Sequence, residues 1–281
     1  MSIVKTMAKG LALAAAATLA LTTAACSSGG DSGSSSGGDK INVGVKYDQP
    51  GMGLNSNGEI TGFDADMARE IAKRMGKEVN FVESVSSQRE TLLQNGTVDM
   101  ILATYTINEK RDQVIDWAGP YLQAGQDILV PSDNPKAING PSDLNGKVLC
   151  AVEGSNSTEH LRDQFAKDAQ LYPAQTYSEC IELLSSGKVD AVSTDDVILA
   201  GFAAQDQYKG NFKLIGKPFT EEPYGVGIPQ GSDQCEAING AITDIISDGT
   251  WAKLVTANFG DAYTPNPAVN PPTPRGCDKN I

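Results

Sequence analysis

Residues 92–99 read LLQNGTVD and precede an apolar stretch at 100–102, and a similar octet, LLSSGKVD, occupies 183–190 ahead of Ala191 and Val192. Each copy has the pattern of a helix end, a glycine that terminates the helix and a short buried strand. Such strands are typical of α/β layers built around a mostly parallel sheet. The repeat therefore predicts two similar lobes, although the same pattern also occurs within a single α/β sheet.

Apolar alternation and helical spacing predict the other elements. We expect strands at 41–45, 79–82, 147–152, 189–193 and 225–228, and helices at 63–75, 88–94, 157–168, 177–185, 237–247 and 250–259. The strand at 225–228 is expected to return to the first lobe. Polar residues and prolines near 130–134 and 218–224 indicate two chain crossings that would form a hinge. The predicted organisation is lobe 1 at 40–130 plus 223–262, lobe 2 at 131–222, and a proline-rich tail at 263–281 fastened to lobe 1.

The N-terminus has the pattern of an export signal. Lys5 and Lys9 precede an apolar stretch at 10–21 that is short for a membrane span. Small residues then lead to Cys26, as in a bacterial lipobox, which predicts a lipoprotein signal peptide at 1–25 and a lipid on Cys26. An ordinary secretory peptide with a chance cysteine is the alternative. Residues 26–39 are mostly Ser, Gly and Asp and predict a flexible tether to the outer face of the cell membrane.

The composition excludes several functional classes. The chain has 35 acidic and 22 basic side chains and a formal net charge of −13. This charge argues against nucleic-acid binding, which needs a basic surface. A single histidine, His160, is a poor basis for a metal site, and we expect it to be a solvated side chain. We predict no metal and no cofactor.

Four cysteines remain after Cys26, and an even number in an exported chain suggests two disulfides with three possible pairings. We favour Cys150–Cys180 and Cys235–Cys277, because each pair then lies within one predicted lobe. The second bond would join the tail to the body of the protein.

Ligands of open α/β sheets lie beyond the carboxyl ends of the strands. This rule selects the segments 46–48 and 103–106 in lobe 1 and the segments 153–157 and 194–196 in lobe 2. The sequence GSN at 154–156 lies between a strand and a helix start, where free backbone amides can face an anion. Ser155 or Asn156 can equally be a plain helix N-cap, and the two roles are compatible.

Several motifs occur in the order found in one known family. GFDADM at 62–67, TYTINEKR at 104–111, DWAGPY at 116–121, GSN at 154–156 and Asp195 resemble the polar amino-acid family of solute-binding proteins of ABC importers, over about residues 41–260. The resemblance implies a two-lobe, type II periplasmic-binding-protein fold. In that fold each lobe is a mixed, mostly parallel sheet with flanking helices, and the ligand binds in the cleft between the lobes.

The charges of a free amino acid allow roles to be assigned beside that resemblance. Each buried ligand charge needs a partner, since desolvation costs several kcal/mol. Arg111 offers a planar fork suited to a carboxylate, the resemblance assigns it to the α-carboxylate, and Asp195 can pair with the α-ammonium. The resemblance adds Thr106, Ser155 and Asn156 to the carboxylate site and Thr104 to the ammonium site, although the family usually has Ser or Thr in place of Asn156. The alternatives are a surface ion pair of Arg111 with Asp112 or Asp116, and a helix N-cap for Asp195.

A second group of residues is predicted to contact the ligand side chain. KYDQPG at 46–51 resembles glutamate-binding lipoproteins of actinobacterial importers, and SQR at 87–89 is similar to glutamate- and aspartate-binding members. Lys46 and Arg89 would hold the second carboxylate, with Tyr47 and Gln49 packed on the methylene groups. Either cation can instead be a solvated surface residue, and the two uncharged residues can be ordinary loop residues.

The sequence therefore predicts a monomeric binding protein rather than an enzyme. It would capture glutamate or aspartate and deliver it to ABC permease subunits served by a separate ATPase, since this chain has no GxxxxGK[ST] motif. The alternatives are a glutamine- or asparagine-binding protein, an amino-acid sensor for a membrane receptor, and a dehydratase on the same fold. We also expect Trp117 and Tyr121 to fill the core of lobe 1, Tyr224 to lie at the hinge or in the core, and Glu221 and Glu222 to be exposed.

Overall fold

The computed structural model describes residues 39–278 of the chain. The expected signal peptide, the lipid-bearing Cys26 and all but the last residue of the predicted tether lie outside the described residues. The described strands are β1 Lys40–Val45, β2 Asp48–Gln49, β3 Gly53–Ser56, β4 Glu59–Thr61, β5 Glu78–Glu83, β6 Met100–Ile101, β7 Asp116–Ala124, β8 Gln126–Pro131, β9 Val148–Val152, β10 Gln170–Ala174, β11 Ala191–Asp195, β12 Phe212–Leu214 and β13 Glu222–Ile228. The α-helices are α1 Phe63–Arg74, α2 Arg89–Gln94, α3 Glu109–Asp112, α4 Asn156–His160, α5 Tyr177–Ser185, α6 Asp196–Ala203, α7 Cys235–Ser247 and α8 Thr250–Phe259.

Two five-stranded sheets form the centres of the two lobes. The first has the strand order β5-β1-β6-β13-β7, and the second has the order β10-β9-β11-β8-β12. In each sheet the first three strands of this order are parallel to one another. The fourth strand, β13 or β8, runs antiparallel to them, and the fifth strand, β7 or β12, runs antiparallel to the fourth. Both lobes are therefore mixed α/β layers, as the sequence predicts.

The repeated octets occupy equivalent places in the two lobes. LLQNGTVD ends α2 and leads into β6, whereas LLSSGKVD ends α5 and leads into β11. Gly96 and Gly187 both adopt φ of 70°, the left-handed conformation that favours glycine after a helix. The following strands pair in parallel with β1 and β9, which occupy the same position in the two strand orders. The internal repeat thus marks one supersecondary unit used twice.

The first chain crossing lies earlier than the sequence predicts. Strand β8 pairs with β11 and β12, so residues 126–131 belong to lobe 2 rather than to lobe 1. The expectation of a crossing at 130–134 was therefore wrong. Strands β7 and β8 form an almost continuous extended run, and only Gly125 separates them. A β-carbon on Gly125 would lie 2.8 Å from the carbonyl oxygen of Thr220 on the returning chain, so the two crossings run side by side.

Other differences concern short elements. The predicted helix at 157–168 is a short α-helix, α4, continued by a single π-helical segment at Leu161–Phe165. The loop after β1 contains a small three-stranded sheet, β2-β3-β4, that the sequence did not predict. The strand expected at 225–228 is β13, and it does return to the sheet of lobe 1.

The two disulfides have the pairing that the sequence favours. Cys150–Cys180 joins β9 to α5 in lobe 2, and Cys235–Cys277 joins α7 to the tail. The tail is also hydrogen-bonded to lobe 1, where Asn270 Nδ2 donates to the carbonyl oxygen of Gln123. Near its start, the hydroxyl of Tyr263 donates to Asp196 of lobe 2, at 3.2 Å from each carboxylate oxygen.

The core of lobe 1 contains both aromatic residues that the sequence assigned to it. Tyr121 is fully buried, and its ring lies 6.3 Å from that of Phe63. Trp117 packs edge-on against Tyr105 at 4.6 Å between ring centroids.

None of the helices in residues 39–278 has the length and apolar character required to cross a bilayer.

Candidate functional site

A cavity between the two lobes is lined by side chains of both. Lobe 1 contributes Ser86, Arg89, Thr104, Thr106 and Arg111, and lobe 2 contributes Ser155, Asn156, Ser157, Tyr177, Thr194, Asp195 and Ile198. The structure therefore brings together most of the site residues that the sequence predicts. The segments that carry them follow β5, β6, β9 and β11, at the carboxyl ends where the strand rule places a ligand.

Two arginines form the cationic wall of the cavity. Arg89 and Arg111 are buried, and their guanidinium carbons lie 4.2 and 4.9 Å from the ring centroid of Tyr105. Each donates a hydrogen bond of 3.1 Å to the carbonyl oxygen of Gly154 in lobe 2. Burial, followed by the charge of Arg111, lowers the pKa of Arg89 to about 10, so Arg89 is charged at neutral pH.

The two arginines differ in their anionic partners. Arg111 Nε lies 3.2 Å from Glu90 Oε1, so the surface ion pair with Asp112 or Asp116 that the sequence left open is not what the structure shows. Arg89 donates to the carbonyl oxygens of Ala103 and Thr104, and its buried Nε has no hydrogen-bond partner among the described residues. Arg89 is therefore a buried cation whose Nε–H group can still donate a hydrogen bond.

Three predicted contacts of the ligand side chain do not line the cavity. Lys46 is buried one layer behind it, where Nζ donates to Ser86 Oγ at 2.8 Å. Gln49 is also buried, and its Oε1 accepts a hydrogen bond from the Thr104 hydroxyl at 3.1 Å. Tyr47 is half-buried and packs against the apolar core. The chain turns from β1 into β2 at these residues, so their side chains point in different directions rather than to one face.

Lys46 has an unusual environment for a lysine. Burial and the neighbouring charge of Arg89 lower its pKa to about 7, and the carboxylates of Asp48 and Asp64 oppose this only in part. The charge of Lys46 therefore depends on pH in the neutral range. An anion that enters the cavity near Ser86 would favour the protonated form.

Thr104 is held in a rare backbone conformation by a buried carboxylate. Its φ is 46°, which is uncommon for a β-branched residue. Asp64 Oδ2 accepts a hydrogen bond of 2.7 Å from the Thr104 amide, and Oδ1 accepts one from the Tyr121 hydroxyl. Burial raises the pKa of Asp64 to about 6. The GFDADM motif thus supports the cavity wall rather than contacting a ligand itself.

Asp195 forms the anionic wall. It occupies the N-cap position of α6, yet its side chain makes no capping hydrogen bond and faces the cleft instead. Its carboxylate accepts hydrogen bonds from the hydroxyls of Ser157 and Tyr224. Burial and the nearby charge of Glu222 raise its pKa well above the ordinary aspartate value. A ligand ammonium group would offset both effects, which is the role that the sequence assigns to Asp195.

Ser155 and Asn156 begin helix α4. Ser155 Oγ accepts a hydrogen bond from the Thr158 amide, so the N-cap role is present. The side chain of Asn156 is held on both sides, because its Oδ1 accepts from Asn108 and its Nδ2 donates to Glu222.

Sequence reasoning missed part of the cleft. Ser157 and Thr194 fall within the segments that the strand rule selects, but they were given no role, and the rule did not select Ser86, Tyr177 or Ile198, which also line the cavity. Glu222 was expected to be exposed but is fully buried, and His160 was expected to be solvated but has a side chain only 20% exposed, with Nδ1 3.3 Å from Glu222 Oε1. Both expectations were wrong because the second chain crossing passes between the lobes and is covered by both.

Similarity to known proteins agrees with this geometry. The family model of the bacterial extracellular solute-binding proteins, family 3, matches residues 41–261. The chain belongs to this family. It is 41% identical over 236 residues to the glutamate-binding protein GluB of Corynebacterium glutamicum, covering 79% of either chain. It is 39% identical over 223 residues to the ABC transporter glutamine-binding protein GlnH of Bacillus subtilis, covering 77% of this chain and 80% of that one.

Among solved structures, an ancestral arginine-binding protein bound to arginine aligns with a TM-score of 0.74 and 34% identity, over 79% of this chain and 98% of that chain. The predicted two-lobe, type II periplasmic-binding-protein fold is thus confirmed. The protein is an amino-acid solute-binding member of family 3.

Among residues 39–278, no cluster of His, Cys, Asp and Glu is arranged to hold a metal ion.

The lobes of this family 3 protein are in direct contact around the cavity. Asp48 of lobe 1 accepts hydrogen bonds of 3.0 and 3.2 Å from the amides of Tyr177 and Ser178, the first two residues of α5 in lobe 2. A β-carbon on Gly201 of α6 would lie 2.1 Å from the carbonyl oxygen of Pro50. The cleft is therefore closed, and closure uses a carboxylate on a helix start and a backbone contact that admits only glycine.

Gly201→Ala is expected to weaken amino-acid affinity by about tenfold or more, because the added β-carbon keeps α6 away from Pro50. Alanine is the better helix former, so lobe 2 itself should still fold. The control is Gly240→Ala in α7, where a β-carbon meets no atom within 4 Å. Calorimetry on both variants measures the effect. An unchanged Kd for Gly201→Ala would show that this contact does not limit closure.

Asp48→Ala is expected to weaken amino-acid affinity roughly fivefold, since it removes two hydrogen bonds between the lobes that together contribute about 1 kcal/mol to closure. The same calorimetric titration measures it. Asp133→Ala, which removes an exposed aspartate of lobe 2, controls for the change in net charge. Equal affinities of the two variants would contradict the role of Asp48 in closure.

Proposed function

We propose that this protein binds an acidic amino acid, glutamate or aspartate, by closure of its two lobes and delivers it to an ABC importer. The observation that carries the proposal is the surplus of buried positive charge at one wall of the cleft. Of the three cations there, only Arg111 has a carboxylate within ion-pair distance among the described residues, namely Glu90. Arg89 and Lys46 are buried beside it without such a partner.

This surplus favours a ligand with two negative groups. One α-carboxylate can satisfy Arg111 together with the amides near Ser155. A second carboxylate would give Arg89 the ionic partner that it lacks, and would use its unpaired Nε donor. Lys46 stabilises the same group from behind through Ser86. Glu90 and Asp64 offset part of the positive charge of Arg89, but neither is within ion-pair distance of it, and a buried cation without a close anion is costly.

Glutamine is the alternative ligand, and the glutamine-binding relative makes it a natural comparison. Its side-chain carbonyl can accept a hydrogen bond from Arg89, but it brings no negative charge. The amide nitrogen would also face cationic donors. The excess of buried positive charge around Arg89 therefore favours glutamate over glutamine.

The opposite wall supports recognition of a free ammonium group. Asp195 is buried and raised in pKa, so a cation beside it is stabilising. We assign Thr104 to the same site through its backbone and hydroxyl oxygens. The separation of cationic and anionic walls matches a zwitterionic α-amino acid with an acidic side chain.

We propose binding without catalysis. The described residues that line the cavity include no histidine, cysteine or lysine. The hydroxyls of Ser155 and Ser157 are hydrogen-bonded to Thr158 and Asp195. A nucleophile and its base are therefore not arranged here in the usual way.

The remaining parts of the proposal rest on the sequence. Residues 1–25 would direct export, a lipid on Cys26 would hold the protein at the outer face of the cell membrane, and the tether at 26–39 would let the binding unit reach its permease. We propose a monomer, with the ATPase carried by a separate subunit.

A thermal-shift screen of the compact unit Gly37–Ile281 against the twenty amino acids tests the proposal. At 100 times its Kd a ligand stabilises by roughly 2.7 kcal/mol, which corresponds to a rise in Tm of about 5–10 °C. We expect the largest rise with glutamate or aspartate and none with lysine. A larger rise with glutamine would leave the two-lobe binding protein intact and contradict the acidic specificity.

In the same screen, Arg89→Met is expected to weaken glutamate binding by about 100-fold and to reduce the preference for glutamate over glutamine. Arg69→Met removes a half-exposed arginine that pairs with Asp66 on the surface of lobe 1, and it should leave binding unchanged. If both variants bind glutamate equally well, Arg89 does not hold the second carboxylate.

Glutamate binding is expected to take up a proton near pH 8. Without ligand the pKa of Lys46 is about 7, so the amine is largely neutral at pH 8. A bound carboxylate favours the charged form and raises this pKa, so affinity should fall as the pH rises from 7 to 9. Calorimetry in two buffers of different ionisation enthalpy measures the uptake. Lys46→Met should abolish it, and equal uptake in this variant would exclude Lys46 as its source.

A further inference from the structure

Glu222 is a buried carboxylate at the second chain crossing that accepts hydrogen bonds from three parts of the protein. Its Oε2 accepts from Thr106 Oγ1 of lobe 1 at 2.7 Å and from Asn156 Nδ2 of lobe 2 at 2.8 Å. Its Oε1 accepts from Thr220 Oγ1 at 2.7 Å and lies 3.3 Å from His160 Nδ1. A single oxygen atom therefore joins one cavity residue from each lobe.

These contacts keep Glu222 ionised despite its burial. Burial alone would raise its pKa, but the hydrogen bonds from His160, Thr220, Thr106 and Asn156 outweigh that effect and hold the pKa below the ordinary glutamate value. The neighbouring acid Asp195 has a raised pKa, because of its burial and the charge of Glu222. Glu222 is thus the more acidic of these two carboxyl groups.

The hydrogen bond with Glu222 fixes which atoms Thr106 can offer to a ligand. A hydroxyl has one proton to donate and two lone pairs to accept with. The proton of Thr106 is directed to Glu222, so only lone pairs remain for the cavity. An oxygen in this state attracts an ammonium group and repels a carboxylate. The resemblance places Thr106 at the ligand carboxylate, and the Thr106 hydroxyl in this arrangement does not fit that role.

We propose that Glu222 is a positioning residue for ligand binding. By taking the hydroxyl proton of Thr106, it turns the Thr106 oxygen into an acceptor for the ligand ammonium, beside Asp195. The same oxygen of Glu222 also accepts a hydrogen bond from the side-chain amide of Asn156 in lobe 2. The complete arrangement therefore forms only when the lobes are closed. Glu222 need not touch the ligand itself. This inference rests on the proposed binding of an amino acid.

A double-mutant cycle between Glu222 and Thr106 tests the proposal. The affinity of the compact unit Gly37–Ile281 for glutamate is measured for the wild type, Glu222→Gln, Thr106→Val and the double variant. Glu222→Gln is expected to weaken binding by about tenfold, because an amide is uncharged and has one accepting atom, so it cannot accept from Thr106 and Asn156 and also from Thr220. In the Thr106→Val background the same change should cost no more than about twofold, since no hydroxyl is left to orient.

The matched control is Glu221→Gln, which makes the same change of charge at the exposed neighbouring residue. It should bind like the wild type. If Glu222→Gln does not fold, as judged by its Tm and circular dichroism, Glu222→Asp takes its place, because the shorter carboxylate cannot reach both partners.

The outcomes separate this inference from the function on which it rests. Equal losses from Glu222→Gln in both backgrounds would show that Glu222 only clamps the lobes together and would overturn the positioning role. Binding by Glu222→Gln equal to that by Glu221→Gln would overturn it as well. If the wild type binds neither glutamate nor any other amino acid in the screen, the proposed function fails, and this inference falls with it.

Discussion

The carbonyl oxygen of Gly154 accepts hydrogen bonds from both Arg89 and Arg111. The cationic wall of the cleft depends on this shared backbone acceptor, which holds two positive side chains close together. Two buried guanidinium groups repel each other and are costly to desolvate. They are held together by the ring of Tyr105 on one side and by backbone carbonyls on the other. This wall of the cleft therefore attracts negatively charged groups.

The opposite end of the cleft balances that wall with acidic groups. Asp195 and Glu222 are both buried, and hydroxyl or amide donors surround each of them. The overall charge of the protein is negative, yet its binding site is polarised, with cations and anions on opposite walls. A zwitterionic ligand in the cleft therefore experiences the local electrostatic field rather than the net charge of the protein.

Local patterns were sufficient to predict the framework of the molecule and much of its site. The repeated octets gave β6 and β11 because a helix end, a glycine and a buried strand are determined within a few residues. The segment of Asp195 followed from the strand-end rule, whereas the role of Arg111 came from the family resemblance together with the charges of an amino acid. The direction of the Lys46 side chain, the position of the first crossing and the burial of Glu222 were missed, because each depends on contacts between segments that are distant in the chain. A stretch such as 116–131 looks like one strand until its partners in the two sheets are known.

The bond between Cys235 and Cys277 closes a covalent ring that contains α7, α8 and the tail. The contacts of Asn270 with β7 and of Tyr263 with α6 lie inside this ring, so they are made by a segment whose two ends are both fixed. An open chain of this length would lose considerable entropy on ordering, whereas the ring has already lost part of it. The packing behind the hinge is therefore linked to the oxidation state of the surroundings, because a reducing environment would open the ring and release one end of the tail.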